Sequence, residues 1–213
     1  MDQQATVVAQ HVANPLDVKD LKSAVWDDAQ PVGIERLWSG QRAPAARHAE
    51  VRLCWSDEGL HALFGCEQHE PVIAAHAPST NKKTIGVWDR DVCEIFVAPD
   101  ATNPSVYYEF EAAPNGEWVD LGIVIKPTGR ETEWDYSSGM TTTSIVGDDF
   151  VFTLITIPWS LRIPKPKSGD VWRVNLFRCI GLHPTDRYLA WRPTKTPEPN
   201  FHVPDAFGWL RFE

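Results

Sequence analysis

The chain has 213 residues, of which 43% are hydrophobic and 23% charged, and its formal net charge is -9. This charge argues against nucleic acid and against an anionic membrane as partners, because both would repel it. No apolar run approaches the ~18 residues that a membrane-spanning helix needs, and the N-terminus lacks the basic and apolar regions of a signal peptide. We therefore expect a soluble single domain over residues 1–213, cytoplasmic, or secreted if a signal was trimmed.

Ten tryptophans are an unusual feature of this composition. Tryptophan is rarely fully buried and is enriched where an apolar surface meets a polar partner. Most of the ten belong in the core, and we expect two or three on a ligand surface.

The first predicted elements are a helix and a hairpin. Residues 16–29 carry the main helical pattern and predict one short helix near the N-terminus. The hairpin that follows is centred on Asp57 and Glu58, so that Cys54 faces His61 and Trp55 faces Leu60.

Seven runs rich in β-branched and aromatic residues predict strands, and Gly, Pro, Asn and Asp separate them. Their spacing is typical of an all-β, antiparallel sandwich. A short helical turn is predicted at 158–161, with Pro158 at its first position. The predicted strands are Val51–Trp55, Leu60–Cys66, Val92–Val97, Tyr107–Ala112, Trp118–Ile125, Phe150–Ile157 and Val171–Ile180.

The four cysteines do not have the paired close spacing of a zinc site. We interpret them as small, reduced strand residues. They are Cys54, Cys66, Cys93 and Cys179.

Residues 87–100, VWDRDVCEIFVAPD, place a carboxylate inside an apolar strand. Strand alternation puts Trp88, Glu94 and Phe96 on one side. A buried, unpaired Glu94 would be costly, so it must meet an arginine or a donor such as a sugar hydroxyl. Aromatic rings pack on the C–H face of a pyranose while carboxylates accept from its hydroxyls, so Trp88 with Glu94 indicates sugar binding.

Residues 107–123, YYEFEAAPNGEWVDLGI, contain the hairpin signal Asn-Gly. A two-residue turn pairs Ala112 with Val119, which predicts one face carrying Glu109, Glu111, Trp118 and Asp120. Three carboxylates so close need a partner. Three options are open, namely an arginine (Arg173 or Arg178), a calcium ion, or a polar ligand.

These two segments and three later ones, 152–161, 169–178 and 189–212, occur in an order that resembles carbohydrate-binding module family 9. The later segments read FTLITIPWSL, GDVWRVNLFR and LAWRPTKTPEPNFHVPDAFGWLRF. The resemblance implies a jelly-roll-like sandwich, often with structural calcium, that binds glucose- or xylose-type sugars between two aromatic rings. It also fits domains of glycan-degrading systems.

By position in the motif, the first family aromatic falls on Trp88 and the sugar-bonding glutamate on Glu94. The second family tryptophan falls on Phe201. Where the family has a ligand-contacting arginine, this chain has Glu111, an acceptor in place of a donor. Further rim contacts are expected at Trp191, Asn200 and His202.

Two other functions remain open. Glu109 and Glu111, two apart on a strand, lie ~6.5–7 Å apart, near the spacing of inverting glycosidases, and Asp120 is a third carboxylate for such chemistry. Related sandwiches hold haem through Met and His, for which Met140 is the candidate. We find no nucleophile, metalloprotease or phosphate-loop motif, so the sequence favours a non-catalytic sugar-binding domain, with an interaction domain as the further alternative.

Overall fold

Nearly all the regular secondary structure of the chain is β-strand. The computed structural model describes residues 6–213, and all seven predicted strands are present within two residues of their predicted ends. Their β-branched and aromatic side chains pack well on a pleated, half-buried surface. The described residues form fourteen strands: β1 (Thr6–His11), β2 (Val32–Ile34), β3 (Arg36–Leu37), β4 (Ala49–Trp55), β5 (Gly59–Glu67), β6 (Val92–Ala98), β7 (Val106–Ala112), β8 (Trp118–Lys126), β9 (Gly129–Glu133), β10 (Thr141–Val146), β11 (Phe150–Pro158), β12 (Val171–Cys179), β13 (Tyr188–Ala190) and β14 (Gly208–Phe212).

The strands form one continuous sheet of mixed direction. Its main path runs β10-β11-β5-β4-β1-β14-β12-β6-β7-β8-β9, and β2, β3 and β13 pair alongside it. Within residues 6–213, β1 pairs in parallel with both β4 and β14, and the other strand pairs are antiparallel. The purely antiparallel arrangement that the sequence predicts is therefore wrong at β1. The two partners of β1 are distant in sequence from each other, and no local pattern reveals such a pairing.

The two halves of this sheet share one hydrophobic interior. One cluster of buried side chains contains Leu53 and Phe64 of β4 and β5 together with Phe110 and Phe177 of β7 and β12. Because these pairs of strands lie on opposite sides of β1 in the strand order, the sheet folds over on itself. A smaller cluster around Trp26 covers the other surface of β4 and β5.

The predicted N-terminal helix is divided into two short helices, α1 (Pro15–Lys19) and α2 (Val25–Asp28). Asp20 separates them, because its side chain accepts a hydrogen bond from the backbone N–H of Lys22 and so competes with helical bonding. The predicted helical turn at Pro158 is also wrong, since Pro158 ends β11 opposite Gly59. No helix within residues 6–213 is long and apolar enough to cross a membrane.

The hairpin of β4 and β5 has the predicted register, with Cys54 opposite His61 and Trp55 opposite Leu60. All four cysteines are buried and free.

The β7–β8 hairpin, in contrast, has a longer turn than the sequence predicts. The backbone N–H of Ala113 donates to Glu117 O (2.9 Å), which closes a three-residue loop. Gly116 ends this loop with a φ of 86°, the left-handed conformation that such loops require and that glycine adopts without strain. Ala112 therefore pairs with Trp118 and not with Val119.

This one-residue difference moves every side chain of β8 to the opposite face. Trp118 and Asp120 share a face with Phe110, whereas Glu109 lies opposite Leu121 on the other face. The predicted common face of three carboxylates and a tryptophan is therefore wrong.

Candidate functional site

A cavity of about 300 Å³ lies over the glutamate face of β6, β7 and β8. This volume is at the lower end of the ~300–1,000 Å³ typical of small-ligand pockets. Strand β9 and residues 199–202 complete its sides. The lining residues are Trp88, Glu94, Phe96, Glu109, Glu111, Leu121, Ile123, Arg130, Thr132, Trp134, Cys179, Tyr188, Pro199, Asn200, Phe201 and His202.

Three glutamates form the acidic floor of the cavity. Glu94 of β6 lies directly opposite Glu111 of β7, and Glu109 follows two residues earlier on β7, on the same face. One carboxylate oxygen from each lies within 4.8 Å of the others. None of the three is more than 3% exposed, so the strand pairing holds three acids together away from bulk water.

Burial shifts the titration of all three acids in the same direction. Desolvation raises the pKa of Glu94 to about 8, and the neighbouring Glu109 adds to the effect. Desolvation also raises the pKa of Glu109, and it raises the pKa of Glu111 well above its ordinary value with the help of Glu94. The floor therefore retains protons near neutral pH.

Few groups around the floor offset its charge. Glu94 Oε1 accepts a weak hydrogen bond from Cys179 Sγ (3.3 Å). Glu109 and Glu111 hydrogen-bond to each other, and their buried Oε2 atoms have no other partner within residues 6–213. His202 Nδ1 lies 3.8 Å from Glu109 Oε2. Burial lowers the pKa of His202 to about 3, so this ring is neutral and supplies no positive charge.

The arginines proposed from the sequence as partners of these acids bind elsewhere. Arg178 donates to Gln68 Oε1 and to the backbone oxygens of Arg47 and His48. Arg173 donates to Gly208 O and stacks over Trp209. None of the ion pairs found within residues 6–213 joins a Lys or Arg to Glu94, Glu109 or Glu111.

Aromatic side chains form the walls of the cavity. The Trp88 and Trp134 rings contact each other with centroids 6.4 Å apart and planes inclined by 42°. Trp134 is 50% exposed and Trp88 is half-buried against the core. Phe201 is buried and stacks on Phe177 at 4.0 Å, so one of its faces is occupied by the protein itself. The pair formed by Trp88 and Trp134 is therefore the accessible aromatic surface.

Six of the eight residues predicted for sugar contact line this cavity. They are Trp88, Glu94, Glu111, Asn200, Phe201 and His202. Trp88 reaches it from a 3-10 turn, Val87–Asp89, and not from a regular strand.

The other two predicted residues do not line it. Trp118 lies on the opposite face of β8 because of the hairpin register, where it packs against the main hydrophobic cluster. Trp191 lines a separate cavity with Arg173, Arg192 and Trp209.

Trp134 and Arg130 are lining residues that the sequence reasoning missed. They lie in or just after β9, whose sequence GRETE has no apolar alternation and was not predicted as a strand. The available signal was the tryptophan itself, a large apolar residue directly after five residues without an apolar side chain.

The three glutamates are also the only group within the described residues whose acidic ligand atoms are close enough to share a metal ion. Calcium takes six to eight oxygen ligands, and three carboxylates supply only part of that set. Structural calcium therefore remains a prediction.

The fold and the cavity together define a β domain with one ligand-sized aromatic and acidic site. A family model described as carbohydrate-binding family 9 matches residues 158–212. The resemblance to this family that the sequence predicts is confirmed.

Solved structures share the fold over nearly the whole chain. A candidate carbohydrate-binding protein from Bacteroides uniformis has a TM-score of 0.73 at 18% identity, covering 98% of this chain and 99% of its own. A family 9 module from Caldicellulosiruptor kristjanssonii in complex with glucose has a TM-score of 0.67 at 15% identity, and the match covers 98% of this chain and 95% of the module. A family 9 module from the same organism in complex with cellotriose has a TM-score of 0.65 at 15% identity, and the match covers 98% of this chain and 93% of the module.

A relative by sequence is an extracellular protein from Arthroderma benhamiae. It is 27% identical over 178 residues, which cover 76% of this chain and 77% of that protein.

Proposed function

We propose that this chain is a single, non-catalytic carbohydrate-binding domain with a jelly-roll-like sandwich fold, and that the cavity over Glu94 is its sugar site. The observation that carries the proposal is the pair of accessible indoles, Trp88 and Trp134, at a cavity with a carboxyl floor. The family match and the fold shared with modules in complex with glucose and cellotriose support it.

The geometry suits one sugar unit or the end of a longer glycan. The indoles offer apolar faces to the C–H surface of a pyranose, and the glutamates, with Asn200 at the rim, offer acceptors to its hydroxyls. Stacking a ring between two indoles requires two contacts of ~3.5–4.0 Å each. The ring centroids are 6.4 Å apart and the planes are inclined by 42°, so we expect the exposed Trp134 to move outward by ~1 Å and to turn towards the plane of Trp88 when a sugar enters.

Replacing Trp88 with Ala is expected to weaken sugar binding by ~1–3 kcal/mol while the fold is kept, because the variant loses a stacking surface. Isothermal titration with glucose, xylose, cellobiose and xylobiose measures the loss, and circular dichroism checks the fold. Trp134→Ala should show a loss of similar size.

Trp191→Ala is the matched control, since Trp191 is also half-buried but lines the other cavity. It should leave the affinity unchanged. An unchanged affinity in Trp88→Ala, or an equal loss in Trp191→Ala, would place the sugar elsewhere.

Glycoside hydrolysis must also be considered, because a pKa of about 8 for Glu94 suits a general acid. Hydrolysis further requires an ionised carboxylate held across the scissile bond. Here Glu109 and Glu111 lie beside Glu94 and their pKa values are raised as well. Asp120, the third carboxylate considered, faces away from the cavity, and Met140, the haem candidate, is buried in the main cluster.

We therefore expect no hydrolysis of oligosaccharides at concentrations that saturate binding. Chromatography of the products after prolonged incubation tests this. Release of shorter sugars that disappears in Glu94→Gln would show that the domain is an enzyme.

A further inference from the structure

The floor of the cavity contains more acidic side chains than the binding of a neutral sugar requires. A hydroxyl needs only an acceptor, which a neutral amide provides without the cost of burying a carboxylate. This chain instead packs three glutamates into one floor. Glu109 and Glu111 hydrogen-bond to each other, and no other group within residues 6–213 donates to their Oε2 atoms. These two atoms are buried acceptors that a ligand can satisfy.

Two arginines near the floor, Arg187 and Arg130, favour the ionised forms of Glu94 and Glu109, but neither forms an ion pair with them. Arg130 is exposed at the rim of the cavity. Arg187 is buried, but it donates to the backbone oxygens of Trp88 and Arg90 and stacks on Tyr188. The floor therefore has a net preference for positive charge.

The aromatic walls of the cavity also favour a positively charged ligand. The faces of Trp and Tyr rings carry negative electrostatic potential, and aromatic surfaces with nearby carboxylates bind organic ammonium groups. Trp88, Trp134 and Tyr188 line the cavity above the three glutamates. Walls and floor are complementary to one ligand that has both an apolar ring surface and a cation.

We propose that the site selects amino sugars, with the pyranose ring against Trp88 and Trp134 and the protonated amino group at Glu94, Glu109 and Glu111. The inference rests on the proposed carbohydrate site and names its ligand class. The ammonium donates three hydrogen bonds, which suit the two Oε2 atoms and the oxygens of Glu94.

Binding of an ammonium also predicts proton release. The floor holds protons near neutral pH, and a bound cation favours the ionised carboxylates. The ligand keeps its own proton, and a carboxyl proton passes to the buffer. A neutral sugar brings no charge and should release none.

The test is isothermal titration of the full chain at pH 7 with glucosamine, glucose and N-acetylglucosamine, in the presence of a chelator. We expect glucosamine to bind at least roughly tenfold more tightly than glucose, since a charge-assisted contact is added. N-acetylglucosamine, which lacks the cation, should not share this gain. Titrations in two buffers with different ionisation enthalpies should show proton release for glucosamine alone.

Glu111→Gln should weaken the binding of glucosamine at least roughly tenfold more than it weakens the binding of glucose, because the amide keeps an acceptor but not the charge. Glu109→Gln is a second variant with the same expectation, should Glu111→Gln fail to fold.

Equal or tighter binding of glucose would overturn the amino-sugar proposal and leave carbohydrate binding intact. Binding that appears only when calcium replaces the chelator would also overturn it, in favour of a cation-bridged sugar. If no sugar of the panel binds, both this inference and the proposed function fail.

Discussion

Replacing Lys83 with Met is expected to lower the free energy of unfolding by about 3–5 kcal/mol. Asp120 has no solvent exposure, and its Oδ1 lies 2.8 Å from Lys83 Nζ. Its other oxygen accepts from the backbone N–H (2.6 Å) and the hydroxyl (2.7 Å) of Ser138. Without the ammonium, a buried carboxylate is left with no opposite charge, which is among the largest effects of a single substitution.

The same lysine connects the core to the cavity. Its Nζ also donates to the backbone oxygens of Asp120 (2.7 Å), Trp134 (3.4 Å) and Tyr136. Lys83 thus adds to the β8–β9 pairing in holding the segment that carries Trp134 to β8. We expect Lys83→Met to weaken sugar binding as well, through the position of Trp134.

Urea unfolding followed by tryptophan fluorescence measures the loss of stability. Lys165→Met is the matched control, because Lys165 pairs with Asp57 (2.7 Å) where both side chains are largely exposed. It should cost less than about 1 kcal/mol. The double variant Lys83→Met/Asp120→Leu should recover part of the loss, since neither buried charge remains. If Lys83→Met and Lys165→Met lower the free energy of unfolding equally, the pair of Lys83 and Asp120 does not stabilise the fold as a buried ion pair.

Local sequence signals predicted most of the strands and one hairpin register. Val51–Trp55 and Leu60–Cys66 are apolar runs around a turn, and their pairing depends only on the centre of that turn. The second hairpin shows the limit of this reasoning. Asn115-Gly116 fits both a two-residue turn and the second and third positions of a three-residue loop, and one residue decides which face Asp120 occupies.

The candidate site was predicted only where its residues lie on strands with clear patterns. Trp88 and Glu94 belong to one segment, and both line the cavity. Trp134 reaches it only because β9 pairs with β8. The acidity of the floor could not be predicted either, because it depends on the pairing of Glu94 with Glu111 and on the closure of the sheet above them. Such contacts between strands are set by the tertiary fold.

Raising the pH from about 6.5 to about 8 is expected to destabilise the folded protein through the acidic floor. The folded pKa of Glu94, about 8, exceeds its ordinary 4.5, so its stabilising contribution is complete below pH 4.5 and is lost as the pH rises towards 8. Glu109 and Glu111 shift in the same direction. Glu94 alone contributes a loss of up to ~2 kcal/mol over this interval.

Buried histidines oppose this loss of stability, but only at lower pH. Burial lowers the pKa of His61 to about 4 and of His202 to about 3. Their contribution is complete above the ordinary histidine pKa of 6.5 and is lost as the pH falls below it. Above pH 6.5 the contribution of the histidines is constant. The hydrogen bond with Cys93 lowers the pKa of Cys66 to about 7, and this thiol opposes the acids in the same interval, so the effect of the acids is read from the difference between Glu94→Gln and the parent chain.

Glu94→Gln should therefore be the more stable protein at pH 8, with a difference from the parent chain that shrinks towards pH 5. Urea unfolding at pH 5, 6.5 and 8 measures this difference, and Asp148→Asn, in the exposed turn between β10 and β11, is the control that should not change the slope. If the free energy of unfolding of Glu94→Gln and that of the parent chain change with pH in the same way, the pKa of Glu94 is not raised in the folded protein. A variant that gains stability but loses sugar binding would show that the floor is kept for its ligand and at a cost to the fold.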